Sequence, residues 1–390
     1  MATLRLKPKE DRRIRAGHLW VFSNEIADVC DFGENGDLVD VLSDRGKFLG
    51  RAYYNKHSLI AARILTDRKE EIDTAFLVRK LQAALAYRQQ LFGVFSSGRV
   101  VFSEGDLLPG LIVDKYDNCL VVQILTLGME RLRASIVEAL LEVFGPEGIL
   151  LRNDSSYRQL ETLPESVDAV YGAVPERIEI EESGARFVVD PYHGQKTGFF
   201  FDQRDTRAIV RQLARDRRTL DCFCYSGGFA VNAALGGASS VVAADSSQSA
   251  LELLGENAEL NGVADKITAT REDCFDLLRR LSDERGHFDL IILDPPAFVK
   301  SKSQLKAAVA GYREINMSAM KLLSPGGILV TCSCSQNLSV SAFQELLRSA
   351  ARDAHVRFRQ RAFLTQSADH PILQAMPETQ YLKCFVLERL

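Results

Sequence analysis

No uninterrupted apolar run in this chain approaches the roughly 18 to 20 residues that a membrane-spanning helix requires. The first ten residues, Met1 to Glu10, are charged and lack the apolar centre of a secretory signal. A soluble, cytoplasmic protein is therefore expected. Positive charge is not in surplus either: the formal net charge is -4, which disfavours a protein that grips nucleic acid through its overall charge. Basic residues are instead local, at Arg12, Arg13 and Arg15 and between Arg211 and Arg218, where tracking of phosphates and solvated helix faces are both open readings. The eight cysteines are scattered, and their close pairs are Cys-x-Cys, which is neither a disulfide framework nor the usual spacing of a zinc knuckle. No metal is expected. Internal repeats, low-complexity segments and the G-x-G-x-x-G pattern of a phosphate-binding dinucleotide site are also missing.

What is present divides by rhythm. At 390 residues the chain is too long for one ordinary core. Residues 1–75 read as a small β-rich module of short strands separated by turn residues, suited to recognition. Residues 76–190 open with a helix at Phe76 to Leu91, continue through strands at Val100, Leu111 and Cys119, a helix from Met129 to Phe144, and a hairpin about Ser183-Gly184, a central α+β unit. From about residue 191 to 390 strands and helices alternate strictly, which predicts an α/β, Rossmann-like parallel sheet covered by helices, with a final antiparallel pair at its edge.

Ligands bind such sheets at the carboxyl ends of the strands, and there the sequence is richest. Asp221-Cys-Phe-Cys-Tyr225-Ser226-Gly227-Gly228-Phe229 reads as strand, glycine turn and helix start, where backbone can approach a ligand closely. Asp245 ends the next strand at the distance where doubly wound folds place a carboxylate on a ribose. Glu272-Asp273 follows a third strand, within reach of an adenine amino group; helix N-capping is the bland reading of both positions. Asp294 is held extended by Pro295 and Pro296 and aimed into the cleft, with Phe298 placed to stack on a base. Cys332 and Cys334 end a fifth strand with period-two spacing, so both face one way if the strand persists. A thiolate there suits addition to carbon 6 of a pyrimidine.

On these residues the carboxyl half resembles the class I methyltransferases. The whole chain resembles the bacterial 23S ribosomal RNA cytosine-5 methyltransferases with an amino-terminal PUA domain. The resemblance rests on Gly194 to Arg204, Asp221 to Phe229, Asp294 to Phe298 with Ser301-Lys302-Ser303, Gly311-Tyr312, Ile315-Asn316, Ser333-Cys334-Ser335, Ala368 to Pro371 and Tyr381 to Lys383. It implies S-adenosylmethionine as cofactor, held by Asp221, Tyr225, Ser226, Gly227, Gly228, Asp245 and Asp273, with Gln203 in the segment that covers cofactor or target. It implies Asp294 on the cytosine edge and Cys334 as nucleophile; relatives with Thr-Cys-Ser point to Cys332 instead, and the choice stays open. Those relatives also carry a cysteine after the proline, where this chain has Ala297, so the base that releases product is unnamed. Large-subunit ribosomal RNA is the implied partner, with Pro295, Phe298, Arg12, Arg13 and Arg15 as contacts, Lys47 and Arg51 beside them, and no membrane. A homodimer is compatible with the surfaces left over.

Two rival readings make different demands. Methylation of a nitrogen on a purine or exocyclic amine, which the Asp-Pro-Pro-aromatic motif would also suit, needs no thiol. A non-catalytic RNA-binding assembly factor would tolerate loss of Asp245.

Overall fold

The computed structural model describes residues 2–284, 286–298 and 305–390. The motif residues Ser301, Lys302 and Ser303, and Gln304 at the expected start of a helix, lie outside them. The chain forms two compact units: Met1–Ile178 with Asp190–Phe201 and Ala368–Thr379, and Glu179–Val189 with Asp202–Ser367 and Gln380–Leu390.

The first unit contains two sheets. Six short strands, β1 (Ala2–Leu6), β2 (Trp20–Phe22), β3 (Ile26–Cys30), β4 (Leu38–Leu42), β5 (Phe48–Tyr54) and β6 (Ile60–Thr66), assemble in the order β2-β6-β5-β4-β1-β3. Alternation sends Leu4, Leu6, Val39, Val41, Ala62 and Ile64 into one core. A one-turn helix, α1 (Arg12–Arg15), interrupts the strands and buries only Ile14. A longer helix, α2 (Thr74–Phe92), begins where the Asp73 carboxylate accepts a 2.8 Å hydrogen bond from the Phe76 amide.

The second sheet has the order β11-β10-β9-β8-β7, from β7 (Ser97–Phe102), β8 (Leu111–Tyr116), β9 (Cys119–Ile124), β10 (Gly148–Asn153) and β11 (Ser166–Gly172). The helix expected over Met129 to Phe144 is two, α3 (Leu127–Arg131) and α4 (Arg133–Phe144), broken at Leu132; α4 stops at Gly145, which adopts φ 51°.

Arg88 is the unusual feature of this unit. It is fully buried in α2, donates to the Arg99 carbonyl at 2.9 Å and the Asp369 carbonyl at 2.7 Å, and engages both oxygens of Asp106, one of them at 2.7 Å. Asp369 also accepts from the Arg99 amide at 3.1 Å and bonds His370 at 2.9 Å, so the Ala368-Asp-His-Pro segment ties this unit together. A buried pair broken on one side leaves an uncompensated charge. Arg88→Met is expected to cost this unit about 3 to 5 kcal/mol, measured as a fall in the denaturant midpoint of the full chain.

The second unit is built on a seven-stranded sheet of order β16-β15-β14-β17-β18-β20-β19. Its strands are β14 (Arg218–Cys222), β15 (Ser240–Asp245), β16 (Ile267–Arg271), β17 (Phe288–Leu293), β18 (Leu323–Ser333), β19 (Phe358–Leu364) and β20 (Lys383–Arg389). The first five are mutually parallel, and β20 and β19 close the edge antiparallel, as expected from the sequence. Helices α5 (Arg204–Leu213), α6 (Gly228–Leu235), α7 (Gln248–Leu260), α8 (Cys274–Asp283), α9 (Leu305–Leu322) and α10 (Val340–Asp353) alternate with the strands. The hairpin of β12 (Ile178–Glu182) and β13 (Ala185–Val189) belongs to this unit from Glu179 onward. Leu290, Ile291, Ile292, Ile328, Leu329 and Val330 are fully buried, as befits strands covered on both faces.

Candidate active site

Four parallel strands end side by side. Cys222 pairs with Ala244 on one flank and Leu293 on the other, and Leu293 pairs with Thr331, so β15, β14, β17 and β18 open their following loops at one sheet edge. The loop after β14 is tightly wound: Phe223, Tyr225 and Gly227 adopt φ of 63°, 48° and 82°. A Cβ at Gly227 would lie 2.8 Å from Leu254 Cγ, so this turn is confined to glycine by both conformation and space. The loop is fixed from the next helix, where Asn257 Nδ2 donates to the Ser226 carbonyl at 2.9 Å. Gly228 has a different task. A Cβ there would meet Arg207 Cδ at 3.2 Å, and Arg207 is buried in a two-point pair with Glu182 at 2.6 and 2.7 Å.

The carboxylates differ sharply in their surroundings. Asp221 is fully buried and neither of its side-chain oxygens has a hydrogen-bond partner. Burial first, then the charge of Asp294 and to a lesser degree that of Asp245, push its pKa well above the usual carboxylate range against the opposing pull of the Ala230 amide. Asp245 is half-buried and accepts from the amides of Tyr225 at 3.0 Å and Ser247 at 2.9 Å. Asp273 caps α8, its Oδ1 accepting from the Phe275 amide at 2.8 Å. Capping is thus a fact for Asp273 only: α7 is capped by Ser247, and Asp245 instead ties the loop after β14 to the end of β15.

Asp294 leaves β17 half-buried, with Pro295 buried behind it. Phe298 packs at a tilt into an aromatic cluster, its ring 4.6 Å from Tyr312 and 5.9 Å from Phe275. The two thiols separate. β18 ends at Ser333, so the period-two relation does not carry through to Cys334. Cys332 is fully buried, paired across the sheet with Cys384 and touched by Gln203; the hydrogen bond with Cys384 and then burial push its thiol well up. Cys334, beyond the strand end, is part-exposed. All eight cysteines are free thiols, and among the described residues no group of histidines, cysteines and carboxylates could hold a metal ion.

One residue escaped the sequence reading as a site residue. Lys383, at the start of β20, is only 4 % exposed, and its ammonium donates to the Ser335 carbonyl at 2.7 Å. Burial lowers its pKa to about 8, with the Cys334 thiol pulling the other way. Tyr312 completes this corner, its hydroxyl 3.0 Å from Ser335 Oγ. The available signal was Lys383 in the Tyr381-Leu-Lys run.

The basic residues expected on RNA are less uniform than their sequence cluster implies. Arg12 is exposed, Arg13 is paired with Glu25 and lies over the Phe22 ring, and Arg15 bonds Asp11 at 2.6 Å. Arg51 corrects an expectation. It is buried and bonded to Asp40 at 2.9 Å, because β5 turns it inward. The Phe199-Phe200-Phe201 segment is packing: Phe199 and Phe201 are buried 5.3 Å apart, and the Phe199 amide donates to the Tyr116 hydroxyl at 3.1 Å.

The residues fit S-adenosylmethionine. An orphaned buried carboxylate with two more near enough to act on it, at the strand that leads into the Gly227 turn, is complementary to a cationic ligand bearing an ammonium and a sulfonium.

Comparison with known proteins agrees with this chemistry. Residues 4–67 match a PUA-like domain and residues 155–374 match the S-adenosylmethionine-dependent methyltransferase family. The chain is similar to ribosomal RNA large subunit methyltransferase I of Tolumonas auensis, 42% identical over 394 residues with 100% of this chain and 99% of the relative covered. It is equally similar to that of Erwinia tasmaniensis, 42% identical over 377 residues with 94% of each covered. Among solved structures, a putative SAM-dependent methyltransferase from Streptococcus mutans superposes with a TM-score of 0.86 at 21% identity over 100% of both chains. A putative methyltransferase complexed with SAH gives 0.88 at the same identity and coverage. At that identity these two structures speak to the fold. An S-adenosylmethionine-dependent methyltransferase domain behind a PUA-like domain, matched end to end by its relatives, places this chain in the ribosomal RNA large subunit methyltransferase I family.

Proposed function

We propose that this protein methylates carbon 5 of a cytosine in large-subunit ribosomal RNA through a covalent adduct with Cys334. The observation that carries the chemistry is the contrast between its two thiols. Cys334 is part-exposed at the strand-end edge, beside a buried lysine, whereas Cys332 is sealed against Cys384. The names of the relatives supply the class of substrate.

Bound S-adenosylmethionine supplies an electrophilic methyl group on a sulfonium. Asp221 holds its cationic end, the Tyr225 to Gly228 turn lies against it, and Asp245 and Asp273 take the ribose and adenine. Gln203, which hydrogen-bonds the buried Cys332 thiol, belongs to the segment that covers the cofactor or the target. Cys334 adds as thiolate to carbon 6 of the cytosine, which makes carbon 5 nucleophilic enough to take the methyl group; loss of the carbon 5 proton from the methylated adduct then expels the thiolate and restores the ring. Asp294 holds the cytosine edge, with Pro295 fixing its direction and Phe298 offering its free face to the base. A paired cytosine is shielded from attack in this manner, so the target is looped or flipped out. Arg12, exposed and without the carboxylate partners that Arg13 and Arg15 have among the described residues, is the first candidate of the three for a phosphate contact.

The test is direct. Purified protein with labelled S-adenosylmethionine and unmodified ribosomal RNA, followed by nucleoside mass spectrometry, is expected to yield 5-methylcytidine. A methylated purine or an N-methylated base would replace this reading with nitrogen transfer, and no label at all in RNA would favour an assembly factor.

A further inference from the structure

The ammonium of Lys383 is an anomaly that the methylation chemistry has not yet used. Lysine is among the residues least often fully buried without a partner, yet Lys383 is 4 % exposed and has no carboxylate partner among the described residues. Among the described residues its one hydrogen bond goes to the carbonyl of Ser335, the residue after Cys334, at 2.7 Å. An ammonium has three donors, so this one is buried short of acceptors and short of an anion. The placement is set by the sheet: Lys383 pairs with Ser333 in the antiparallel register of β20 on β18, which brings its side chain to the end of the strand from which Cys334 emerges.

The groups around it are few. From the end of β18 come Cys334 and Ser335, and from α9 comes the Tyr312 hydroxyl, bonded to Ser335. Just before β20 the Leu382 amide donates to the Gln366 side chain, and within β20 Cys384 is paired across the sheet with Cys332. Of these, Cys334 is the titratable group whose charge acts on Lys383.

We infer that Lys383 is the proton partner of Cys334: as the neutral amine it takes the proton from Sγ, and as the ammonium so formed it holds the thiolate as its counter-ion. The S–H bond breaks and an N–H bond forms, with no change in oxidation state; the same pair accepts the thiolate back when the adduct breaks down. Lys383 thus acts through Cys334 and is a positioning residue. Its lowered pKa, near that of a thiol, suits such an exchange. This inference rests on Cys334 being the nucleophile.

The experiment measures alkylation of each cysteine by iodoacetamide as a function of pH in the full-length protein without RNA, with peptide mass spectrometry reporting Cys334 separately. The exposed Cys30, whose thiol is raised by the Asp28 carboxylate, serves as an internal reference. In the wild type the midpoint for Cys334 is expected below that of an ordinary thiol, about 8.5. In Lys383→Met it is expected to rise, lowering the alkylation rate at pH 7 about tenfold or more, while Lys383→Arg, which keeps the charge, restores the low midpoint. A wild-type midpoint at or above the ordinary value overturns the inference without any variant, and so does a Lys383→Met profile identical to wild type. Methylation does not enter the readout, so an active Cys334→Ala enzyme would refute the proposed function while leaving the ion pair to be judged by its own titration.

Discussion

Cys334→Ala is expected to abolish methyl transfer to RNA, with activity falling at least about a thousandfold, or more than about 4 kcal/mol of transition-state stabilisation. Binding of S-adenosylmethionine should survive, because Cys334 follows β18 whereas the orphaned Asp221 carboxylate lies on β14, with β17 between them. Cys332→Ala is expected to keep activity within a few-fold and to cost stability instead, since it removes a buried sulfur packed on Cys384 and leaves a small cavity worth about 1 kcal/mol. The two variants therefore dissociate chemistry from packing. RNA carrying 5-fluorocytidine sharpens the distinction: fluorine at carbon 5 cannot leave as a proton does, so the adduct with the nucleophile persists and shifts on a denaturing gel. The adduct is expected with wild type and Cys332→Ala and not with Cys334→Ala. The opposite pattern would move the nucleophile to Cys332, and activity indifferent to both thiols would end the covalent reading.

Which of these thiols is available was beyond the sequence for a specific reason. Period-two spacing places both on one face only while a strand lasts, and β18 stops at Ser333. The end of a strand is decided by its neighbours, here by β20 reaching back only to Lys383. The strands that carry the site were legible because uninterrupted apolar runs ending in Asp, Pro or Gly admit few other readings; β15 occupies Ser240–Asp245 as expected. Strand β10 was missed for the converse reason. Arg152 and Asn153 look unsuited to a buried strand, but Gln123 donates to the Arg152 carbonyl and the Ile124 amide to Asn153, contacts between strands far apart in sequence. Arg88 and Lys383 belong with them. A buried cation contradicts the composition rule by which a sequence is read, and only the assembled fold displays what surrounds it.

The same logic makes Asp221 the most informative cofactor-site residue to change. Asp221→Asn is expected to weaken S-adenosylmethionine binding about 10- to 100-fold, the scale of one lost hydrogen bond to a charged group, and yet to give a ligand-free protein that melts higher than wild type at neutral pH. The sign follows from the raised pKa. A carboxyl whose folded pKa lies above its unfolded value keeps its proton in the folded state while the unfolded chain has released it, so stability declines as pH rises from about 4 toward the folded value. Asparagine is close in shape and carries no charge to strand, so it removes that decline. Bound ligand reverses the order. At a hundred times the wild-type dissociation constant the wild type gains about 2.7 kcal/mol, whereas a variant binding 100-fold more weakly gains about 0.4 kcal/mol. Melting curves across pH 5 to 8, with and without S-adenosylmethionine, are therefore expected to cross: the variant more stable alone, the wild type more stable with ligand. If Asp221→Asn melts lower without ligand and binds it undiminished, the carboxylate is a structural element of β14 and the cationic end of the cofactor lies against Asp245 or Asp294 instead.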